Sequence, residues 1–442
     1  MKGQRGIRPI RLLVLVLVAA PLWKLAEQSW RGRPKPVSAA ARAEGLALFN
    51  HEWTPHDPQT GGDGLGPVFN AKSCVECHGQ GGPGGGGPTS KNVTVYGLIT
   101  PPKNGLPQVG VIHQQAIRAE FRETLAMVHP GLPHTPSIPL AQLIDKTRPR
   151  NPEVVVTQRN TPALFGDGLI DVITEDMIVA RQREHSTAAR LVGLNGAKDS
   201  RVRGRVARLT DGRLGRFGWK SEFSTLDDFV RAACANELGL SNPERPQATP
   251  IGKRDYKAPG VDLTDAQCVL ISDYLRALPA PRQVLPADPH ARAVVRRGAS
   301  VFREIGCADC HAPTLGPASD MYSDMLLHDM GVDLESSTGY YGAVIPAPII
   351  RNDKFEATEQ PVPGEWRTAP LWGVADSAPY LHDGRATNLD EAIGLHGGEA
   401  VDIVKRYKEL PDSDRGAMIA FLKTLRAPGA GEPDLRSEVA AK

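Results

Sequence analysis

The chain has 442 residues, room for two domains with a sizeable core. Its formal net charge of +2 gives no electrostatic footing for nucleic acid or for a strongly acidic partner. Aromatic residues are scarce at 5%, against 45 Gly and 38 Pro, a balance that predicts long irregular connections and a core partly supplied by a bound apolar group.

The N-terminus carries Lys2, Arg5, Arg8 and Arg11 ahead of an apolar run from Leu12 to Trp23. That run is short for a membrane span and suits the core of a signal peptide. No small-x-small cleavage site follows directly: Lys24 and a polar stretch to Lys35 come before Ser38-Ala39-Ala40-Ala41. Residues 1–38 are read either as a cleaved export signal or as an uncleaved membrane anchor with its linker. Both readings place the body outside the cytoplasm, in a periplasm or its equivalent.

Ala39 to Asn50 reads as a helix with Leu46, Leu48 and Phe49 as apolar anchors. Beyond it lies Cys74-Val75-Glu76-Cys77-His78, and a second copy, Cys307-Ala308-Asp309-Cys310-His311, stands later in the chain. C-x-x-C-H is the pattern of c-type haem attachment. One short turn presents two thiols to the vinyl groups on one haem edge, and the next residue reaches the iron. With six Cys and twelve His available, chance supplies roughly 0.002 such motifs. Structural zinc sites and thioredoxin-like pairs also use C-x-x-C, but the histidine directly after the second cysteine in both copies favours haem. Two covalently bound haem c groups are expected. Cys74, Cys77, Cys307 and Cys310 would attach them, and His78 and His311 would be the proximal iron ligands.

Gly79 to Pro88 is almost entirely Gly and Pro and reads as a loop, either a solvated connector or an open lip over the first haem. Arg159-Asn160-Thr161-Pro162-Ala163-Leu164-Phe165-Gly166, Gly215-Arg216-Phe217-Gly218-Trp219 and Leu226-Asp227-Asp228-Phe229-Val230 follow. Thr264 then caps a helix running to Leu278, with Leu270, Tyr274, Leu275 and Leu278 on one face. Cys234 and Cys268 lie in helical segments of this half; a disulfide and two separately buried thiols both remain open.

After a Pro-rich linker, 281–290, the same order returns. A helix from Ala291 to Ile305 leads into Cys307, and Gly298 to Phe302 echoes Gly45 to Phe49. Arg367-Thr368-Ala369-Pro370-Leu371-Trp372-Gly373 answers Arg159 to Gly166, and Leu389-Asp390-Glu391-Ala392-Ile393 answers Leu226 to Val230. A last helix, Asp414 to Leu425, mirrors the one ending at Leu278. The chain is therefore read as mainly α: two tandem cytochrome c-type domains with long irregular loops, 39–280 and 291–427, and a loose tail, 428–442.

Arg367 to Gly373 and Ala378-Pro379-Tyr380-Leu381-His382-Asp383-Gly384-Arg385 resemble the C-terminal signature of the bacterial di-haem cytochrome c peroxidase superfamily, which includes the MauG-type enzymes. Phe49-Asn50-His51-Glu52-Trp53, Tyr322 to Gly331 and Leu395-His396-Gly397-Gly398-Glu399 are similar to its di-haem oxidoreductase branch. The resemblance runs from about Ala43 to Leu425. It implies one haem with an open position for peroxide and a second, six-coordinate haem that relays electrons. The position matching the superfamily's variable sixth ligand is His396, which would pair with His311 and lower that haem's potential relative to Met/His ligation. Aligning the duplicated helices sets Ala233 opposite His396, and no histidine stands between His78 and His113, where relatives carry a distal one. Both absences favour an open first haem.

Cleavage of the O–O bond needs a nearby acid–base group, with His113, Glu120, Glu123, His129 and His134 as candidates. Phe165, Trp366, Trp372 and His382 are expected to border a cofactor, Phe165 at the first site. Trp53, Trp219, Trp366 and Trp372 are candidate electron relays, with packing as the plainer role. His328 and Met330 are read as packing residues near the second haem. The expected function is an exported peroxidase-like di-haem oxidoreductase that reduces peroxide with electrons from an external donor: a small cytochrome, a cupredoxin or a quinol-linked carrier. The rivals are a non-catalytic electron-transfer cytochrome and a haem oxygenase acting with O2 on an organic substrate.

Overall fold

The computed structural model describes residues 36–98, 109–134, 154–194, 202–253, 255–336 and 363–431, with isolated positions of the tail. The export or anchor segment thus lies outside the described residues. Among those residues, no helix is long and apolar enough to cross a membrane. The chain is mainly helical: α1 (Ala39–Asn50), α2 (Asp167–Asp171), α3 (Glu175–Leu194), α4 (Leu226–Glu237), α5 (Asp265–Arg276), α6 (Pro289–Glu304), α7 (Leu389–Gly394), α8 (Val401–Lys408) and α9 (Asp412–Leu422).

Side-chain caps set where the main helices start. Ser38 accepts from the Ala41 amide ahead of α1, and Thr225 accepts from Asp228 ahead of α4. Thr264 and Gln267 form a reciprocal capping box on α5. Asp288 caps α6, whose first residue is Pro289, so this helix begins before the expected Ala291.

Each half is closed by its first helix crossing its last, and a glycine makes each crossing possible. A Cβ on Gly45 would lie 2.1 Å from the Leu270 carbonyl oxygen of α5, and one on Gly298 would lie 1.9 Å from the Ala417 carbonyl oxygen of α9. Beside these contacts Phe49 packs on Tyr274 with ring centroids 5.1 Å apart, and Phe302 packs on Phe421 at 5.4 Å. The same phenylalanines approach the motif histidines, at 6.4 Å for Phe49 and His78 and 6.3 Å for Phe302 and His311. The duplicated sequence is thus a duplicated helix crossing set against a motif histidine.

The halves interlock. Leu315, Ala318, Met321, Met325, Leu326 and Trp372 are buried in the core built mostly by the first half, while Val202 is buried in the second core. Arg205 exchanges backbone hydrogen bonds with Leu327, and linker residue Val284 donates to the Thr424 carbonyl. One element was not expected from the sequence: an antiparallel sheet of β1 (Val93–Leu98), β2 (Val109–Ile112) and β3 (Val154–Arg159), with β1 in the centre. Its strands are rich in Val, which suits a pleated, half-buried surface. The sheet delivers Arg159 and Asn160 to the junction of the halves.

The crossings yield a stability test. Gly45→Ala and Gly298→Ala should each lower unfolding free energy by about 1–3 kcal/mol through overpacking against a carbonyl that cannot retreat. Gly394→Ala, with open space around its Cα, should not. Urea denaturation of the three variants measures this.

Candidate functional site

Each C-x-x-C-H segment folds as one tight helical turn in which the histidine amide donates to the first cysteine's carbonyl, at 2.9 Å in both copies. Ser73 caps the first turn, and Gly306, at φ 101°, opens the second. Burial pushes the thiols of Cys74, Cys77 and Cys307 up to about 12. They are neutral at pH 7, unlike the lowered thiol of a thioredoxin-like pair.

Cys74, Cys77 and His78 line a first cavity of about 80 Å³. Cys307, Cys310 and His311 line a second of about 310 Å³ that extends to the junction of the halves. His78 donates Nδ1–H to the Pro162 carbonyl at 3.1 Å, with Gly85 O at 3.3 Å. His311 donates Nδ1–H to the Tyr322 carbonyl at 2.9 Å. Tyr322 sits at φ 52°, a costly conformation for an aromatic residue that turns this carbonyl under the ring. Because a carbonyl only accepts, each ring's Nε2 is its lone-pair nitrogen. Burial draws both imidazoles down to about 4, so both are neutral and able to bind a metal ion.

The Gly-rich segment is exposed at Gly79, Gly81, Pro83 and Pro88 and is not a solvated connector throughout. Gly84 to Gly87 are buried and pack around His78. The Pro83, Gly84 and Gly87 carbonyls accept from Tyr274 Oη, Leu164 N and Asn160 Nδ2, and Gly85 O faces His78. Gly85 tolerates no side chain, because a Cβ would lie 1.6 Å from the Gln80 carbonyl oxygen.

The two cavities differ in how many imidazoles they contain. His396 lines the second cavity with His311 and donates Nδ1–H to the Ala392 carbonyl at 2.7 Å. Burial lowers it as well, so it too presents a neutral Nε2. In the first cavity, α4 contributes Phe229, Val230, Ala233, Cys234 and Glu237, and Ala233 holds the position matching His396. Cys234 and Cys268 are free, buried thiols.

The five acid–base candidates are placed away from both cavities. His113 and Glu123 are buried against each other, with Nδ1 and Oε2 2.7 Å apart, and His113 Nε2 bonds the Asn236 carbonyl at 2.9 Å. Glu120 is exposed on its turn, His129 Nδ1 accepts from the Gly131 amide, and His134 is exposed. The carboxyl that does reach the first cavity is Glu237, held by Asn70 Nδ2 at 2.7 Å. It lies one helical turn past Ala233, and carrying the repeat alignment one turn further would have found it.

Phe165 lines the second cavity, not the first, together with Trp366, Trp372 and His382. Trp219 lines both, and its Nε1 donates to the Asn160 carbonyl at 2.9 Å. Trp53 is buried against His51. Trp366 stacks on His382 at 3.7 Å; Lys220 Nζ lies 4.0 Å and Arg159 Cζ 4.7 Å from its ring centroid. His382 is held well below its ordinary value by burial and by the Arg159, Arg385 and Lys220 charges.

His328 proves to be more than packing. Its Nε2 lies 2.9 Å from Asp324 Oδ2 and its Nδ1 2.7 Å from Glu399 Oε2. His185 of α3 approaches the same Asp324 oxygen at 3.3 Å. Ionised carboxylates only accept, so both ring nitrogens of His328 carry protons. Burial opposes that charge, but Cys310 and Asp324 hold the ring well above its ordinary value. Cys310, Asp324 and His328 bring potential metal-binding atoms within 4.8 Å of one another, but both His328 nitrogens are already committed to carboxylates.

Two cysteine–histidine sites on either side of one tryptophan define a di-haem oxidoreductase. The sequence matches the family described as "Di-haem oxidoreductase, putative peroxidase" over residues 144–425, and the chain belongs to that family. It is 39% identical over 56 residues to a diheme cytochrome c-type protein of Cereibacter sphaeroides, covering 13% of this chain and 18% of that protein. It is 24% identical over 154 residues to hydrazine synthase subunit gamma of Kuenenia stuttgartiensis, covering 31% and 43%. The chain therefore spans less than half the length of either relative. Similar solved structures include Kuenenia stuttgartiensis hydrazine synthase (14% identity, 90% of this chain and 92% of that one, TM-score 0.41). The diheme peroxidase BthA of Burkholderia thailandensis is another (15%, 91% and 90%, TM-score 0.40). A MauG-like protein associated with microbial copper homeostasis also matches (21%, 57% and 89%, TM-score 0.28).

The His328 cluster gives a prediction. His328→Leu leaves Asp324 and Glu399 facing each other without the cation between them and should cost about 3–5 kcal/mol, read as a lower urea midpoint.

Proposed function

We propose that the protein is an exported c-type di-haem oxidoreductase of peroxidase type, built as two cytochrome c-type domains, 39–280 and 291–427. One observation carries the reading: the first cavity is lined by a single imidazole, His78, with Ala233 and Glu237, whereas the second is lined by four, of which His311 and His396 both have Nδ1 on a backbone carbonyl and Nε2 left as the lone-pair nitrogen. Haem c fits both sites, because buried neutral thiols stand beside imidazoles whose Nε2 is already the lone-pair nitrogen. Cys74, Cys77 and His78 would hold one haem, and Cys307, Cys310, His311 and His396 the other. When bound, these groups supply an open iron position for peroxide at the first site and one-electron storage at the second.

The chain's own residues do the rest. Ala233 leaves space where its counterpart His396 would fill it. Glu237, oriented by Asn70, accepts a proton from one peroxide oxygen and returns it to the departing oxygen. Trp219, bordering both cavities, is the side chain through which electrons cross. An external one-electron donor (a small cytochrome, a cupredoxin or a quinol-linked carrier) supplies them.

Three measurements test this. The purified protein should show one high-spin and one low-spin haem; two low-spin haems and no reaction with peroxide would leave an electron carrier. His396→Ala should convert the low-spin signal to high spin with both haems still attached. Glu237→Gln should lower peroxide turnover by about 10²–10⁴-fold without changing either spin state. Faster turnover with O2 and an organic substrate than with peroxide would favour an oxygenase.

A further inference from the structure

Asp167, the first residue of α2, faces the second cavity. It is 8% exposed, and among the described residues its carboxyl makes no hydrogen bond or ion pair. The charged groups around it are committed elsewhere. Arg367 of β4 (Glu365–Arg367) donates Nε–H to the Gly218 carbonyl at 3.0 Å. Arg216 donates to the Ile173 and Ser224 carbonyls. Asp171, at the far end of α2, pairs with Arg276 of α5 at 3.0 Å, and Arg276 also holds Asp227. Glu175 of α3 accepts from the Leu214 amide. A buried carboxyl with no hydrogen-bond partner among the described residues, opening into a cavity that also holds His311 and His396, is positioned to respond to charge arriving there.

We propose that Asp167 is the proton-coupling group of the second cavity, its carboxyl taking up one proton when an electron enters the cavity and releasing it when the electron leaves. This deepens the proposed function and rests on its second site being the electron store. The balance is one for one. An O–H bond forms on Asp167 with a proton from solvent as the donor's electron arrives, and it breaks as the electron moves on, so the cavity's net charge does not change. Burial and Asp171 push this carboxyl up to about 8, with Arg367 opposing. An electron arriving in the same low-dielectric cavity raises a carboxyl's proton affinity by about tenfold or more, so the proton is taken up in the pH range at and above the carboxyl's resting value of about 8. Peroxide reduction consumes two protons with its two electrons, and Asp167 would bring one proton in with each stored electron.

The test is redox titration of the low-spin haem in the intact protein, over about two pH units on either side of 8. A tenfold change in proton activity should move the native midpoint by up to about 59 mV, falling as pH rises. Asp167→Asn should flatten that dependence while leaving haem content and spin states unchanged. An equal slope in the variant would overturn the proposal. Should the variant not fold, the redox difference infrared spectrum of the native protein decides. A carboxylic-acid carbonyl band appearing on reduction supports Asp167 as the carrier, and its absence overturns the proposal. A protein with no low-spin haem would instead undo the functional reading itself, so the two failures are distinct.

Discussion

A backbone carbonyl accepting the Nδ1 proton of an imidazole is the constraint on which the sites depend. It occurs at His78, His311 and His396, each time with a carbonyl from a different local structure. That single bond settles the tautomer, turns the ring and leaves the other nitrogen as a base. Burial removes the alternative in which the ring is charged. The left-handed Tyr322 places one of these carbonyls under its ring, and the loop of buried glycines brings Gly85 O beside the Pro162 carbonyl at His78. Both cost conformational freedom or strain, and the closely packed helix crossings at Gly45 and Gly298 hold the frame that bears them.

One frame used twice has diverged where chemistry requires it. The crossings, the phenylalanine beside each motif histidine and the cysteine turns are shared. The helix ahead of each crossing's closing partner differs, with Ala233 and Glu237 on α4 against His396 just past α7. The first cavity thus has an alanine and a carboxyl on its wall where the second has His396. The second half instead gains a cluster of Asp324, His328 and Glu399 beside its motif turn, which His185 of the other half's α3 approaches.

Much of this was legible in the sequence because the signals were local or repeated. Thr264 marks a helix start by hydrogen-bonding chemistry alone, whereas Asp288 followed by Pro289 offered the same signal inside what reads as a linker. The echo of Gly45 in Gly298 marks equivalent helices, which prove to be equivalent crossings, and the aligned Ala233 and His396 each line a cavity. What was missed depends on contacts distant in sequence. The order in Gly79 to Pro88 comes from Leu164, Asn160 and Tyr274 claiming its carbonyls, which a run of glycines does not advertise. His113 and Glu123 look catalytic by residue type, but each satisfies the other. Phe165 follows the first motif in the chain yet faces the second cavity, because the halves interlock. The sheet went unread although Val154-Val155-Val156-Thr157 is a β-branched run, since the helical repeat dominated the pattern.

Asn160 is bonded through nearly every polar atom it has. Its amide N–H reaches the His382 carbonyl, its side chain reaches Gly87 O and Asn92 Oδ1, and its carbonyl receives the Trp219 indole. The loop beneath one metal-binding ring, the signature histidine of the other half and the aromatic bridge thus share a single pivot. Any rocking of one lobe on the other would carry that bridge with it instead of stretching the gap it spans. Under the proposed function, the distance that electrons cross through Trp219 is held at a fixed length, so the pace of that transfer should stay indifferent to how the lobes breathe.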